Sequence, residues 1–253
     1  MRLRTDAFIN VLNAGMEPDP AQFGSYLFGD SVFLAIGIFL FSPIYCKYML
    51  YKWRGASKAT KKQVVEIAKK LNLKNPNKIK VKVGNYSSFR NNAMVDSGGT
   101  LYLGQNIAEN ASSNKGKFVI GHELSHTKNR DFFKMLLFMV GANLFWFVSL
   151  SKVVPGAVVP KVSKLCFTLN MAGLVFFRKV FSEAMADIGS ASLGREFAQG
   201  GIDFFKKGND DLSELACFSR WKYKIRQFFG DPHFSPWFRM KYLTWFRDWK
   251  YGH

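Results

Sequence analysis

Apolar residues form three long runs along this chain. The first run, residues 32–51 (VFLAIGIFLFSPIYCKYMLY), carries a single charge, Lys47, close enough to one end for its ammonium group to reach a membrane interface. Pro43 predicts a kink in a helix at this position. The run begins well inside the chain, lacks a small-residue cleavage site and is too long for the apolar part of a signal peptide. It therefore predicts a membrane anchor.

The second and third runs, residues 135–151 and 165–177, predict a helical hairpin. The third run is short, because its thirteen residues rise only about 20 Å as a helix, less than a hydrocarbon core of about 30 Å, unless the residues before Lys164 join it. The connection KVVPGAVVPKVSK has prolines typical of a turn and lysines able to reach lipid headgroups. A membrane hairpin is the first interpretation, and a buried hairpin in a soluble core is the alternative.

The stretches between these runs show the periodicities of helices and strands. Residues 57–76 begin with serine, have apolar positions at helical spacing and end at a proline, which predicts an amphipathic helix. Residues 78–84 (KIKVKVG) and 98–104 (GGTLYLG) predict two strands of a small sheet. No proline occurs from residue 111 into the second apolar run, so one helix is expected to continue from this region into that run.

The segment GHELSHTKNRD, residues 121–131, carries the spacing H-E-x-x-H with His122, Glu123 and His126. On a helix the two histidines lie one turn apart on the same face, where neutral imidazoles can occupy two corners of a tetrahedral zinc site. The alternative is a surface helix whose histidines fall four apart by chance. Two of only four histidines in the chain lie in this motif, which favours metal binding.

A third ligand is available from the segment SEAMAD, where Glu183 and Asp187 stand four residues apart. Such a pair is usually a solvated helix face. However, His126 lies nine residues before Met135 and Glu183 six residues after Phe177. At about 1.5 Å per residue, both side chains lie roughly 9–14 Å above the ends of the apolar runs on antiparallel helices. They are thus expected at the same level.

The charge distribution indicates a lipid partner. The chain has 36 Lys+Arg and 18 Asp+Glu, a net charge of +18. Basic residues cluster in residues 52–63, directly after the first apolar run, as the positive-inside rule predicts for a cytoplasmic flank facing anionic lipids. No nucleic-acid-binding motif is visible, so no nucleic-acid partner is expected. The three cysteines form no disulfide pattern.

Taken together, GHELSHTKNRD and SEAMAD resemble the active-site segments of membrane zinc peptidases. This family includes the HtpX heat-shock protease, the type I CAAX prenyl endopeptidase and the mitochondrial Oma protease. The resemblance implies that His122, His126 and Glu183 bind one Zn²⁺ per chain and that Glu123 is the general base. It also implies that Asp187 is the hydrogen-bond partner of a ligating histidine.

Two weaker segments extend the resemblance. PHFSPWFRM keeps His233 and Arg239 six residues apart, as in a late motif of the family, although the surrounding residues differ. His233 would donate to the oxyanion or approach the metal and Arg239 would hold the local structure, the alternative for His233 being a packed histidine beside aromatic residues. NNAMVDSGGTLYLG resembles a segment that implies an edge strand pairing with an extended substrate. The implied substrate-binding residues are Asn92, Thr100, Leu101, Tyr102 and Leu103.

The sequence as a whole predicts a mainly α-helical integral membrane protein. It is expected to have a zincin-type (gluzincin) catalytic domain with a small β-sheet and an inserted transmembrane or re-entrant hairpin. The predicted boundaries are an amino-terminal segment at 1–30, the anchor at 31–51, the first catalytic part at 52–134, the hairpin at 135–177 and the second catalytic part at 178–253.

The predicted function is a membrane-embedded zinc endopeptidase that cleaves juxtamembrane or flexible segments of membrane proteins in quality control. A multi-pass protein of a bacterial inner membrane or an organelle membrane is expected, with its active site facing the cytoplasm. Two alternatives stay open: a CAAX-type processing protease that uses the same site, and a non-catalytic basic membrane adaptor. The complete set of His122, Glu123, His126 and Glu183 argues against the adaptor.

Overall fold

The computed structural model describes residues 53–85, 89–150, 159–213 and 235–252. The described chain is mostly helical with one small mixed sheet, which confirms the predicted mainly α class in this coarser form. The predicted anchor at 31–51 and His233 lie outside the described residues.

The elements follow one another in the order of the chain. The strands are β1 (Arg54–Gly55), β2 (Val81–Gly84), β3 (Ala93–Val95) and β4 (Leu101–Gly104). The helices before the hairpin are α1 (Lys58–Lys70), α2 (Gln105–Glu109) and α3 (Asn114–Asn129). The hairpin helices are α4 (Asp131–Leu150) and α5 (Val159–Phe177), and a π-helical segment, Arg178–Glu183, follows directly. The last helices are α6 (Ala184–Ala191), α7 (Arg195–Ser213) and α8 (Pro236–Tyr251).

The sheet has the strand order β1-β2-β4-β3, with β2 and β4 parallel and the outer pairs antiparallel. The prediction that residues 100–103 form an edge strand is therefore wrong. Because β4 is paired with β2 on one side and with β3 on the other, its backbone groups are used inside the sheet. Leu101 and Leu103 are also fully buried. The edge next to β4 is formed by β3.

Helix α1 shows how local sequence sets the helical elements of the core. Ser57 caps its start by accepting a hydrogen bond from the backbone N–H of Thr60 at 3.1 Å. Val64 and Ile67 form the buried stripe, while the lysines of the helix face solvent. Burial of such a stripe stabilises the fold by about 1.5–3 kcal/mol per large aliphatic side chain.

The continuous helix expected from residue 111 into the second apolar run is interrupted. Helix α3 ends at Arg130, whose φ of 53° is left-handed, and α4 begins at the next residue. The backbone N–H of Arg130 caps the carbonyls of His126 and Thr127. Arginine is not a typical residue for this conformation, so the sequence carried no signal for the break.

Helices α3 and α6 approach closely at two glycines. A Cβ atom on Gly121 would lie 2.4 Å from the hydroxyl oxygen of Ser190, and one on Gly189 would lie 2.7 Å from that of Ser125. The serine hydroxyls donate to backbone carbonyls of α3 at 2.8 Å. This close crossing, next to the buried side chains of α3, positions the H-E-x-x-H turn beside α6.

Residues 133–150 and 159–175 belong to one compact unit, and the other described residues belong to a second. Helix α5 starts at Val159, so residues before Lys164 do join the third apolar run. Within the part of the chain that the structure covers, Phe133–Leu150 is the one helix long and apolar enough to cross a membrane by length and composition. The described residues thus contain a single candidate span.

The contact between α4 and α5 combines polar and apolar side chains. Val159 and Cys166 are buried against Trp146 and Phe147. Trp146 Nε1 donates to Asn170 Oδ1 at 2.9 Å, and Asn170 Nδ2 donates to Asn143 Oδ1 at 2.8 Å. Both asparagines are buried. Large apolar side chains are exposed instead, among them Leu137, Leu144, Phe145, Val148, Leu165 and Leu169.

The close crossing of α3 and α6 predicts that Gly121→Ala destabilises the protein. The added methyl group overlaps Ser190, so we expect a cost of about 1–3 kcal/mol and a lower midpoint of thermal unfolding. Gly141→Ala is the matched control, because no atom lies within 4 Å of a Cβ at this helical glycine. An unchanged midpoint for Gly121→Ala would show that the two helices separate at no cost.

Candidate metal centre

Two histidines of α3 lie on one face of the helix. His122 is buried and His126 is partly buried, and their Nε2 atoms are 3.1 Å apart. The four-residue spacing produces this arrangement directly, since residues i and i+4 are neighbours on a helix surface. The two imidazoles therefore point at a common position.

Glu183 reaches the same position from the end of the π-helical segment. One of its carboxylate oxygens lies 3.4 Å from His122 Nε2, and the other lies 3.8 Å from His126 Nε2. Its side chain is almost completely buried. Among the described residues, His122, His126 and Glu183 form the group whose ligand atoms all lie within 4.8 Å of one another and could hold a metal ion.

The separations of these atoms fit a zinc ion. Zinc bonds of about 2.0–2.1 Å in tetrahedral geometry place neighbouring ligand atoms about 3.4 Å apart. The two Nε2 atoms are 3.1 Å apart. His122 Nε2 lies 3.4 Å from one carboxylate oxygen of Glu183, and His126 Nε2 lies 3.8 Å from the other. Two imidazoles and one carboxylate are also a donor set typical of catalytic zinc sites.

Each histidine has its other ring nitrogen at a carboxylate. His122 Nδ1 lies 2.7 Å from Asp187 Oδ1, and His126 Nδ1 lies 2.7 Å from Asp131 Oδ2. When Nδ1 carries the proton and donates it to the carboxylate, the tautomer is fixed and Nε2 keeps its lone pair for a metal. Asp187 was expected from the sequence as such a partner. Asp131 was not assigned a role, although it ends the quoted motif.

Asp187 receives further hydrogen bonds from α8. Arg239 donates through Nε at 2.7 Å and through Nη2 at 2.5 Å, and the Tyr242 hydroxyl also donates to this carboxylate. Burial alone would raise the pKa of Asp187, but the charges of Arg239 and His122 hold it well below its usual range. Arg239 therefore has the positioning contact implied by the resemblance, whereas Tyr242 was missed. Its position three residues after Arg239, on the same helix face, was the available signal.

The electrostatics of the site favour a bound cation. Burial lowers the pKa of His122, but the neighbouring carboxylates of Asp187 and Glu183 outweigh burial and raise it to about 10. Burial also raises the pKa of Tyr242, and Asp187 adds to that shift, so the hydroxyl stays protonated as a donor. The carboxylates thus create a negative potential at the two Nε2 atoms.

Ser182 links the second histidine to the π-helical segment. Its hydroxyl donates to Asp131 Oδ2 at 2.8 Å and lies 3.3 Å from His126 Nδ1. A π-helix adds one residue per turn relative to an α-helix, and here it ends with Ser182 and Glu183 side by side at the site. The segment therefore supplies the candidate ligand Glu183. It also supplies Ser182, which contacts Asp131, the hydrogen-bond partner of the candidate ligand His126.

The other predicted site residues lie in different positions. Glu123 is partly exposed on α3 beside His122. Asn92 is exposed just before β3, and its side chain accepts from the backbone N–H of Ala93 at 2.9 Å. Residues 100–103 lead into and form β4, away from the sheet edge. The structure thus brings together the candidate ligands and their partners, but not the expected substrate strand.

Comparison with family sequence models adds an independent finding. The model described as peptidase family M48 matches residues 56–216, which is more than half of the chain and includes both ligand segments. The chain belongs to peptidase family M48. This confirms the resemblance to the HtpX, CAAX and Oma proteases. Comparison with curated proteins gives no matching relative.

Membership in M48 assigns the chain to the metallopeptidases, which act as hydrolases. The M48 family is in general zinc-dependent and typically membrane-bound. The buried group of His122, His126 and Glu183 agrees with this assignment, because it supplies a donor set that could hold the metal.

The donor geometry predicts that Glu183→Gln loses most of the bound zinc. The neutral amide is a poorer ligand than the carboxylate, and the Arg239 guanidinium 3.8 Å away loses a negative neighbour. Metal analysis of the purified protein should give about one zinc per chain in the wild type. Glu196→Gln is the matched control, since Glu196 is partly exposed and pairs with Lys70. Full zinc content in Glu183→Gln would remove Glu183 from the site.

The contacts of Asp131 predict a graded loss of zinc affinity. Asp131→Asn weakens the hydrogen bond to His126, and we expect about a 10–100-fold loss of affinity in chelator competition. Ser182→Ala removes one donor to the same carboxylate and is expected to cost less. Ser192→Ala is a control, because that hydroxyl donates only to a local backbone carbonyl. Equal affinities in all variants would show that Asp131 does not orient the histidine.

Proposed function

We propose that this M48 protein is a membrane-embedded zinc endopeptidase that uses His122, His126 and Glu183 as ligands. The observation that carries the proposal is the group of His122, His126 and Glu183, whose ligand atoms lie within 4.8 Å of one another. The Nδ1 atom of each histidine is held by a buried carboxylate. Zinc bound there would supply Lewis-acid activation of a water molecule and of the scissile carbonyl group. Side chains of the protein carry out the proton transfers and orient the ligands.

Glu123 is the proposed general base. It follows His122 directly on α3 and is partly exposed. It takes a proton from the attacking water and gives it to the leaving amine nitrogen. Asp187 and Asp131 keep the two imidazoles in the tautomer that leaves Nε2 for the metal.

The edge strand β3 is the proposed binding position for an extended substrate. The bonds from Gly104 N to Asn92 O and from Asp96 N to Thr100 O show that even-numbered residues of this strand pair with β4. By the alternation of antiparallel ladders, Ala93 and Val95 direct their backbone groups away from β4. The N–H of Ala93 donates to Asn92 Oδ1 there, so the carbonyl of Ala93 and the backbone of Val95 are the proposed pairing groups. Helix α3, which carries the metal-binding motif, packs against this strand. Backbone pairing there gives affinity with little side-chain selectivity.

The polarity of the hairpin supports a membrane location. Its buried contact includes the hydrogen-bonded Asn143, Asn170 and Trp146 together with apolar residues such as Val159 and Cys166, whereas many of its leucine, phenylalanine and valine side chains are exposed. Helices that associate in hydrocarbon show this arrangement, because interhelical hydrogen bonds hold them together and lipid covers the apolar faces. We therefore propose that both hairpin helices, together with the anchor at 31–51, lie in the bilayer.

The distribution of basic residues supports a cytoplasmic active site. The lysines in residues 52–63 and the pair at 178–179 favour this side. Lys152 would lie on the translocated turn, and Lys161 and Lys164 at the adjoining start of α5, against the positive-inside rule. The balance assigns the amino terminus to the outside and the metal centre to the inside. Cysteine labelling that places His253 outside would reverse the assignment.

The proposed substrates are flexible segments of membrane proteins close to the bilayer. His126 and Glu183 lie within nine residues of the apolar runs, and these residues include the turn at Arg130 and the π-helical segment, so the height of the site above the runs is at most about 14 Å. Segments of this kind become accessible when membrane proteins are damaged or unassembled. Quality control is therefore the proposed role, and it rests on this reach and on family membership.

Glu123→Gln is expected to keep zinc and the fold but to reduce peptide cleavage by about 10²–10⁴-fold, because only the base is removed. Zinc content and the thermal unfolding midpoint provide the control on folding. Cleavage at the normal rate by this variant would overturn the assignment of Glu123.

The substrate class is tested by mapping new protein termini in membranes that contain the active protein or Glu123→Gln. We expect cuts near membrane segments, since about four residues of an extended chain, at about 3.3–3.6 Å per residue, are enough to span about 14 Å. Cuts confined to the carboxyl ends of prenylated proteins would favour CAAX processing. Cuts mainly in soluble proteins, or tens of residues from any membrane segment, would contradict the proposed reach.

A further inference from the structure

Helix α8 presents an aromatic face that the fold does not bury. Trp237, Lys241, Trp245 and Trp249 follow one another at intervals of four residues, so they lie on one side of the helix. The three tryptophans are 53%, 66% and 70% exposed, and Lys241 is exposed between them. We call these four residues the tryptophan face.

The opposite side of α8 is committed to the core. Arg239, Leu243 and Phe246 are buried, and the helix packs along α7. Arg239 is held in place by Asp187, and its guanidinium also lies 4.2 Å from the ring centre of Phe205. The rotation of α8 about its axis is therefore fixed, and the tryptophan face is held outward by the same contacts that position His122.

The tryptophan face is ordered rather than a set of scattered apolar side chains. The rings of Trp245 and Trp249 are almost parallel, with an interplanar angle of 7° and centres 6.0 Å apart. The ammonium group of Lys241 lies 6.0 Å from the ring centre of Trp237. Single exposed apolar residues are common on proteins, but three aligned tryptophans on one helix mark an interaction surface.

The chemistry of the tryptophan face selects a lipid headgroup layer as its partner. Tryptophan combines a large apolar ring with an N–H donor and is enriched where hydrocarbon meets water. Lys241 adds a positive charge at the centre of the face, in a chain with a net charge of +18. The nearby carboxylate of Asp248 is paired with Arg247 at 2.6 Å, which reduces its repulsion of anionic lipid. Basic amphipathic helices with tryptophan bind bilayers in this way.

We propose that the tryptophan face of α8 lies in the headgroup region of a bilayer that contains anionic phospholipid. This contact is additional to the anchor and the hairpin, and it does not depend on the proposed zinc chemistry. Because α8 also carries Arg239 and Tyr242, the contact ties the orientation of the metal centre to the membrane surface.

The test uses the full chain reconstituted in bilayers of phosphatidylcholine and phosphatidylglycerol. Lipids brominated near the headgroup end of their acyl chains quench tryptophan at the interface, and acrylamide quenches tryptophan in water. Wild type is compared with the triple variant Trp237→Phe, Trp245→Phe and Trp249→Phe. The three replaced residues are half of the six tryptophans of the chain. Zinc content of each variant reports the fold independently of the bilayer.

The expected result is that the triple variant loses at least half of the fluorescence that brominated lipid quenches in the wild type, as these tryptophans lie at interfacial depth whereas Trp53 packs against Phe89 and Tyr102. Two results would overturn the proposal. Quenching of these tryptophans by acrylamide but not by lipid would place the face in water. Protection from both quenchers would mean that protein covers it, either a second copy or another segment of this chain.

The role of charge is tested by a matched pair of single variants. Lys241→Glu is expected to reduce lipid quenching of these tryptophans in bilayers with phosphatidylglycerol, and to have a smaller effect in phosphatidylcholine alone. Lys206→Glu changes the net charge by the same amount, and Lys206 is exposed on α7 rather than on the tryptophan face. Equal effects of both variants would contradict a specific contact of Lys241 with anionic lipid.

Discussion

The buried carboxylate of Asp187 connects the helices that build the metal centre. It lies on α6 and receives hydrogen bonds from His122 on α3 and from Arg239 and Tyr242 on α8. Removing one partner of a buried, hydrogen-bonded charge pair costs about 3–5 kcal/mol, so these elements cannot shift independently at low cost. The orientation of the His122 imidazole therefore depends on the packing of α8, more than a hundred residues later in the chain.

Two irregular backbone segments complete the centre. The left-handed conformation of Arg130 costs roughly 1–2 kcal/mol, and it turns the chain so that Asp131 meets His126. The π-helical segment then delivers Glu183 to the histidines and Ser182 to Asp131. In both places the hydrogen bonds at the site compensate a backbone that departs from the regular α-helix, which is a recurring property of functional sites.

The hairpin unit and the unit that carries the candidate metal site differ in the side chains that they expose. In the unit with the candidate metal site, aliphatic side chains such as Val64 and Leu124 are buried and lysines face outward, as expected in water. In the hairpin Asn143 and Asn170 are inside, and Phe145 and Val148 are outside. The buried asparagines and exposed apolar side chains of the hairpin agree with the membrane location that is typical of M48 proteins.

The sequence by itself determined the features that depend on local spacing. His122 and His126 had to share a helix face, and α1 had to bury one stripe, because the period of the helix is fixed by covalent geometry and hydrogen bonding. The approach of Glu183 to the histidines was also expected, since only nine and six residues separate His126 and Glu183 from the ends of an antiparallel hairpin. Only the tertiary structure decided the strand order, which places β4 inside the sheet, and the contacts of Asp131, Ser182 and Tyr242. The contacts of Asp131 depend on the helix break at Arg130, which no glycine or proline indicates. The other contacts and the strand order depend on packing between segments that are distant in sequence, and local sequence patterns do not report the energy of such packing.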